Sequence, residues 1–428
     1  MNDLQQQLVD LRARVERARQ QCDARYAGAA AAPARSVVHF EEEVPHSSTT
    51  HNFFEGGEEV ETSFGRHFEA ETLFQGHRRH GSADIGALSE LPHDLLHAIS
   101  DGESPAAPPS EWAFLDTETT GLAGGTGTCA FLVGVGRITP DGFRVRQFFM
   151  RDYAEEASLL SRLSEHLAPF RILITYNGRT FDQPLLETRY RLNRARPPFS
   201  KLAYHVDLLY GSRRLWKLRY DSCRLVDLES NVLGFERQGD VPGGLIPYLY
   251  FEFLRTRRAA RLLPVFHHNA TDILSLACLT GIVPYAFQDP LGTPDLKHGA
   301  EFLGMARWMR QSGELEQARA LFARAVDAGL KDDLLFRTLW DSAALDRKLG
   351  DATRALERLE ELASAHNPFR ARALEELAKH HEHHVRDYAR ALDLTRSALS
   401  HEESPALRHR EQRLLRRLAR QSTRIAEH

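Results

Sequence analysis

Trp112-Ala113-Phe114-Leu115-Asp116-Thr117-Glu118-Thr119-Thr120-Gly121 runs from four apolar residues directly into two carboxylates. The apolar run reads as a buried strand. Asp116 and Glu118 lie two apart on it, so both side chains leave the same face. Like charges this close raise each other's pKa unless a cation lies between them. Alone, the pair also fits a solvated strand end.

Two further stretches bring carboxylates to comparable places. Asn177 follows an apolar strand (residues 171–176), and Phe181-Asp182 opens a helix reaching residue 192. Phe181 is expected in the core, Asp182 pointing back to the cleft, and Asn177 bonding the loop or a substrate phosphate. Asp182 by itself also fits a helix N-cap. The third stretch is His267-His268-Asn269-Ala270-Thr271-Asp272. On a helix, His268 shares the face of Asp272, whereas His267 reaches it from a loop before the helix. A histidine there can accept the proton of an attacking water near neutral pH.

Around these stretches, residues 129–136, 143–150 and 203–208 read as strands and residues 154–167 as a helix. From there to residue 287 the pattern is helical, broken at Gly234, at Pro242-Gly243-Gly244 and at Pro264. Strands followed by alternating strands and helices indicate a mixed α/β sheet. If Asp116, Glu118, Asp182 and Asp272 converge, they form a hard oxygen donor set suited to two Mg²⁺ or Mn²⁺ ions ~4 Å apart.

In this order the motifs resemble those of the DEDD exonucleases of the ribonuclease-H-like superfamily: Asp-x-Glu, Asn-x-x-x-Phe-Asp, and His-x-x-x-x-Asp or Tyr-x-x-x-Asp. The resemblance covers roughly residues 110–287. A closer similarity is to the YprB-like branch of ribonuclease-H-like exonucleases. It rests on residues 115–128, His205-Val-Asp-Leu-Leu209, Ser222-Cys-Arg-Leu225, Asp240-Val-Pro-Gly243, and His268-Asn269 with Asp272-Ile273. The resemblance implies a ribonuclease-H-like fold and metal-dependent phosphodiester hydrolysis, with a 3′-to-5′ exonuclease direction. His267 fits the histidine spacing and His268 takes the place of the tyrosine. The branch favours His268 and the base geometry His267; His267 is narrowly preferred and both are kept.

Candidates for holding substrate are Thr117, Asn177, Phe181, Thr126, Arg213 and Arg214. Thr126 lies in the glycine loop 121–127, which lacks a Walker ending and leads into a strand, so nucleoside triphosphate binding is not expected. Arg213 and Arg214 start a cluster with Lys217, Arg219 and Arg224, interleaved with Trp216 and Tyr220. Such a cluster suits phosphates and stacked bases, and equally a solvated basic helix face. Asp207 ends the last strand and is not assigned a metal.

The remaining chain divides by composition. A short amphipathic helix is expected over residues 1–28, from Leu4, Leu8, Leu11 and Val15. Residues 29–110 read as a linker and small region with a hairpin near Gly56-Gly57, and the nuclease-like domain as residues 111–290. Over residues 295–400, Gly313-Glu-Leu-Glu-Gln-Ala318 is echoed by Gly350-Asp-Ala-Thr-Arg-Ala355 and, without the glycine, by Arg386-Asp-Tyr-Ala-Arg-Ala391. This resembles tetratricopeptide repeats; an irregular helical bundle is the alternative. Residues 401–428 form a basic helix that either holds nucleic acid or caps the repeats.

A net charge of -4 neither supports nor excludes a nucleic-acid ligand. Four scattered cysteines suggest neither a zinc knuckle nor a disulfide framework, which points to a reducing cytoplasm. No secretory leader pattern and no membrane partner are expected. The expected partners are DNA or RNA, with a protein at the helical repeats. The competing class is a catalytically inactive scaffold, although no carboxylate is missing.

Overall fold

The computed structural model describes residues 57–121, 127–294 and 296–426, with side chains to residue 421. The helix expected over residues 1–28, the linker before residue 57 and Thr126 lie outside the described residues. Two compact units are present. One contains the described residues up to Tyr210 together with Arg224–Pro284; the other contains Gly211–Cys223 and the chain from Tyr285 onward.

The first unit is built on a seven-stranded mixed sheet. Its strands are β1 (Gly57–Thr62), β2 (Gly65–Gln75), β3 (Trp112–Thr119), β4 (Ala130–Thr139), β5 (Gly142–Phe149), β6 (Ile172–Thr175) and β7 (Tyr204–Asp207). Their spatial order is β1-β2-β5-β4-β3-β6-β7. β3, β6 and β7 run parallel, and the other pairs are antiparallel. The expected mixed α/β sheet is therefore present.

The sheet nevertheless begins well before residue 111. β2 pairs with β5 from Phe68↔Phe149 to Gln75↔Gly142. The hairpin turns at Ser63-Phe64, between Thr62 and Gly65, and not near Gly56-Gly57. Charge hides these strands in the sequence. Glu69 is buried and bound by Arg162 at 3.1 Å and Arg146 at 3.3 Å, and Glu71 accepts from Arg144 at 2.8 Å. Paired and hydrogen-bonded, such carboxylates tolerate the interior.

Gln147 and Phe148 leave opposite faces of β5. Phe148 meets the His166 ring of α1 (Glu156–Leu167) at 5.4 Å. Gln147 donates to the Phe266 carbonyl of α5 (Leu263–Thr280) at 2.8 Å. Helices thus cover both faces. Between them in sequence come α2 (Asp182–Leu192), α3 (Leu208–Trp216) and α4 (Ile246–Thr256). The α4 residue Tyr250 stacks on Phe131 at 4.0 Å and donates to the Met150 carbonyl at 3.0 Å.

α5 lies close on the sheet because β4 carries glycine beneath it. A Cβ at Gly134 would stand 2.2 Å from Asn269 Oδ1, and one at Gly136 2.5 Å from Ile273 Cγ2. The stretch Ala260–Gln288 is long and apolar enough to cross a membrane by length and composition alone. In this fold 78% of its most apolar window is buried inside the protein.

The second unit is helical. After α6 (Val283–Gln288) come α7 (Gly299–Ser312), α8 (Leu315–Asp327), α9 (Asp332–Lys348), α10 (Ala352–Ser364), α11 (Arg370–His380), α12 (Tyr388–His401) and α13 (Pro405–Ala426). The three echoed motifs sit at equivalent turns. Gly313, Gly350 and Arg386 adopt φ of 90°, 83° and 62°, so Arg386 takes the left-handed conformation that glycine supplies in the other two. Ala318, Ala355 and Ala391 are all buried.

Part of the basic charge of α13 is internally paired. Glu382, 1% exposed, accepts from Arg410 at 2.6 Å and Arg413 at 2.8 Å, with Arg417 at 3.8 Å.

Candidate active site

β3 carries Asp116 and Glu118 to its C-terminal end, beside the ends of β6 and β7. The register with β4 shifts between Glu118 and Thr119, the last residue of the strand. Beyond β6, Asn177 turns the chain with a φ of 67°, a conformation asparagine tolerates better than most residues. The Asp207 carboxylate holds this turn, accepting from the amides of Asn177 (2.7 Å), Arg179 (3.1 Å) and Leu209 (3.2 Å). Asp207 is thereby committed to backbone. Burial raises its pKa while those amides oppose the shift.

The turn delivers Asp182 as the first residue of α2, where Thr117 Oγ1 donates to its Oδ1 at 2.5 Å. Thr117 therefore contacts an acid. Phe181 is not in the core: it is 58% exposed next to Asp182, while Leu186 and Tyr190 provide the buried face of α2.

α5 supplies the rest. Asn269 Nδ2 donates to Asp116 Oδ2 at 2.8 Å. His268 and Asp272, four apart, share a face. His268 Nε2 stands 3.7 Å from Asp272 Oδ2 and 4.0 Å from Glu118 Oε1. Its Nδ1 lies 2.8 Å from Asp240 Oδ1. His267, the narrowly preferred candidate, stands elsewhere on this helix. α5 begins at Leu263, with Pro264 in its first turn, so His267 is helical and not in a preceding loop. Five residues from Asp272 is about 140° around a helix of 3.6 residues per turn, and His267 is exposed.

Asp116, Glu118, Asp182 and Asp272 act on one another electrostatically. Burial first, then Asp272, Glu118 and Asp182, hold the Asp116 carboxyl well above the usual range. Burial pushes Glu118 up to about 8, with Asp272, Asp182 and Asp240 adding to it and His268 opposing. Burial raises Asp182 to about 6 against the Thr117 hydrogen bond. For His268, burial disfavours the charged form, but the Asp240 hydrogen bond and the Asp272 and Glu118 charges outweigh it, so its pKa is raised.

Crowded oxygen donors with raised proton affinity suit hard divalent cations. In that chemical sense the residues fit a metal site. As the side chains stand, no group of three or more among the described residues is closed around a single ion. The positive charge present is internal: Arg237 pairs with Asp272, Asp240 and Glu229.

Sequence reasoning did not assign Glu229, Arg237, Asp240 or Asn269 a role. Asn269 lies inside the third motif, three residues before Asp272, and that spacing was a usable signal. The other three come from an irregular stretch whose polar residues have no periodicity. Arg213 and Arg214 belong to the helical unit: Arg213 is exposed, and Arg214 lies over the Trp308 ring at 5.4 Å.

Residues 113–283 match the RNase_H superfamily. The protein YprB of Bacillus subtilis (strain 168) is 36% identical over 334 residues, covering 75% of this chain and 78% of YprB. The family B DNA polymerase from the hyperthermophilic archaeon Pyrobaculum calidifontis is similar at 15% identity over 49% of this chain and 30% of the polymerase chain. Its TM-score of 0.32 gives that likeness no weight. Identity and coverage of that extent, over a stretch that includes all four clustered acids, place the chain in the YprB family, with an RNase_H superfamily domain at residues 113–283.

Proposed function

We propose that this protein is a metal-dependent nuclease that hydrolyses phosphodiester bonds of DNA or RNA, with the 3′-to-5′ exonuclease direction implied by its DEDD-like motifs. The convergence of the four acids carries this reading: Thr117, between Asp116 and Glu118 on β3, bonds Asp182, while α5 brings Asn269 onto Asp116 and places His268 between Glu118 and Asp272. These four side chains would hold two Mg²⁺ or Mn²⁺ ions. Bound there, such ions supply Lewis acidity that activates water and stabilises the leaving oxygen.

The chain's own groups do the rest. With Asp240 accepting from Nδ1–H, His268 presents the Nε2 lone pair to the acids as the proton acceptor. Thr117 fixes Asp182 through Oδ1. Exposed Phe181 offers a face on which a terminal base stacks. The turn at Asn177 presents its side chain to a phosphate. The equivalent turns at Gly313, Gly350 and Arg386 support tetratricopeptide-like repeats that bind a protein partner.

The test is cleavage of end-labelled single- and double-stranded DNA and RNA with Mn²⁺, with and without chelator. Activity that chelator abolishes and that Asp116→Ala with Asp182→Ala eliminates supports the reading. Activity surviving both substitutions overturns it.

A further inference from the structure

Arg237 lies in an irregular stretch between a wide, π-type turn of helix at Glu229–Leu233 and α4. Its side chain is 8% exposed. The guanidinium meets three carboxylates. Nε donates to Glu229 Oε2 at 2.6 Å, and Nη2 donates to Glu229 Oε1. Nη1 donates to Asp240 Oδ2 at 3.1 Å, and Nη2 also donates to Asp272 Oδ1. Bidentate pairing of this kind fixes geometry as well as charge.

Glu229, fully buried, is held in turn from the sheet unit's N-terminal side. Ser275 of α5 bonds Glu229, and His80 Nε2 lies 2.7 Å from the Ser275 hydroxyl. The residues next to this fork are fixed as well. Ser82 N donates to the Leu233 carbonyl at 2.6 Å, and Gly81 packs so tightly that a Cβ would fall 2.1 Å from that oxygen. If Arg237 left Asp272, it would either break the Glu229 fork or strand a buried carboxylate. It is a fixed strut, and not a plug that a cation displaces.

We propose that Arg237 is a positioning residue that pins Asp272 by Oδ1, so that Asp272 offers an incoming divalent cation the single oxygen Oδ2, on the side where His268 stands. This rests on the metal-dependent reading above. The same guanidinium grips Asp240, which holds His268 Nδ1, so one side chain sets both the last acid and the histidine.

The experiment is Mn²⁺ titration of the full chain followed by electron paramagnetic resonance, with thermal melting of the metal-free protein alongside. Arg237→Lys keeps a charge against Glu229 but loses the fork. It is expected to fold, with a lowered melting temperature from the lost fork, and to bind Mn²⁺ about tenfold more weakly when assayed well below that temperature, the usual scale for groups that orient metal ligands. Excess Mn²⁺ should then restore cleavage in Arg237→Lys and not in Asp116→Asn, a rescue that a merely structural role would not give. Should Arg237→Lys fail to fold, Arg237→Gln with Glu229→Gln removes both buried charges and is expected to show the same weakening. Unchanged or tighter Mn²⁺ binding in the variant overturns the proposal while leaving the nuclease reading intact. No Mn²⁺ binding by the wild type, or equal binding by Asp116→Asn, overturns both.

Discussion

The Asn269 carboxamide reaches across 153 residues of sequence to donate to Asp116 Oδ2 at 2.8 Å, while its own Oδ1 accepts from Gln147 Nε2 at 2.9 Å. A neutral side chain thus joins the first acid on β3 to the helix that carries the last one. It also turns Asp116 so that one of its oxygens is already committed.

Replacing Asn269 with Ala leaves one of the two Gln147 Nε2–H groups without its acceptor, the other staying on the Phe266 carbonyl, and removes the Asp116 partner. Loss of buried partners of this kind costs about 1–3 kcal/mol, to be read by urea unfolding. Mn²⁺-dependent cleavage, assayed well below the melting temperature, should fall as well. A normal rate in the destabilised variant would confine Asn269 to packing.

Gly134→Ala tests the same junction from the sheet side. The new Cβ would meet Asn269 Oδ1 at 2.2 Å and Ile273 Cδ1 at 2.3 Å, forcing α5 away from the strand. Overpacking of this kind costs about 1–3 kcal/mol. Gly243→Ala, where a Cβ meets nothing within 4 Å, should be close to neutral in the same unfolding assay.

Phe181→Ala should leave the melting curve in place, because the ring is 58% exposed. Affinity for single-stranded substrate should drop by about 1–3 kcal/mol, the range for one stacked base. Phe181→Trp should retain it. Equal binding by all three proteins in fluorescence anisotropy would dismiss the stacking role.

His268→Ala and His267→Ala distinguish the two histidines. A proton acceptor in the reaction contributes about 10²- to 10⁴-fold in rate. That loss is expected for His268, whose Nε2 faces Glu118 and Asp272, and only a minor change for exposed His267. The opposite pattern in single-turnover rates would reinstate His267.

Acid should destabilise the fold through buried neutral histidines. Burial, and secondarily Arg237, lowers His80 from 6.5 to about 4. Burial lowers His166 and His205 to about 4 as well. Between those values the unfolded chain binds more protons than the folded one, so stability is full above pH 6.5 and falls as pH drops toward 4. At ~1.4 kcal/mol per pH unit, His80 alone contributes ~3 kcal/mol over that span. His80→Gln should flatten the slope of unfolding free energy against pH, and an unchanged slope would remove His80 as a cause.

Three of the acids were legible because they sit at the boundary of a periodic element, and Asp272 because it follows His268 by four residues in a helical stretch. Asp116 and Glu118 end an apolar strand, Asp182 starts a helix, and Asp272 lies on the helix that begins at Leu263. The histidine choice turned on that helix start. Pro264 reads as a break, yet proline is favoured in the first helical turn, and this puts His267 on the helix, about 140° around from Asp272. Phe181 misled because large aromatics are usually buried. Glu229, Arg237 and Asp240 meet only in three dimensions, in a stretch without periodicity. β2 was obscured because its buried Glu69 and half-buried Glu71 are neutralised by arginines of β5 and α1, distant in sequence.

β2 covers the outer side of β5 along eight paired positions. A recombinant fragment trimmed to the family-matched residues 113–283 would leave that row of amide and carbonyl groups bare. An uncovered strand is a template for a second copy to add to, so such a fragment invites insoluble aggregates. Expression should start no later than Gly57, where the hairpin that closes this border begins.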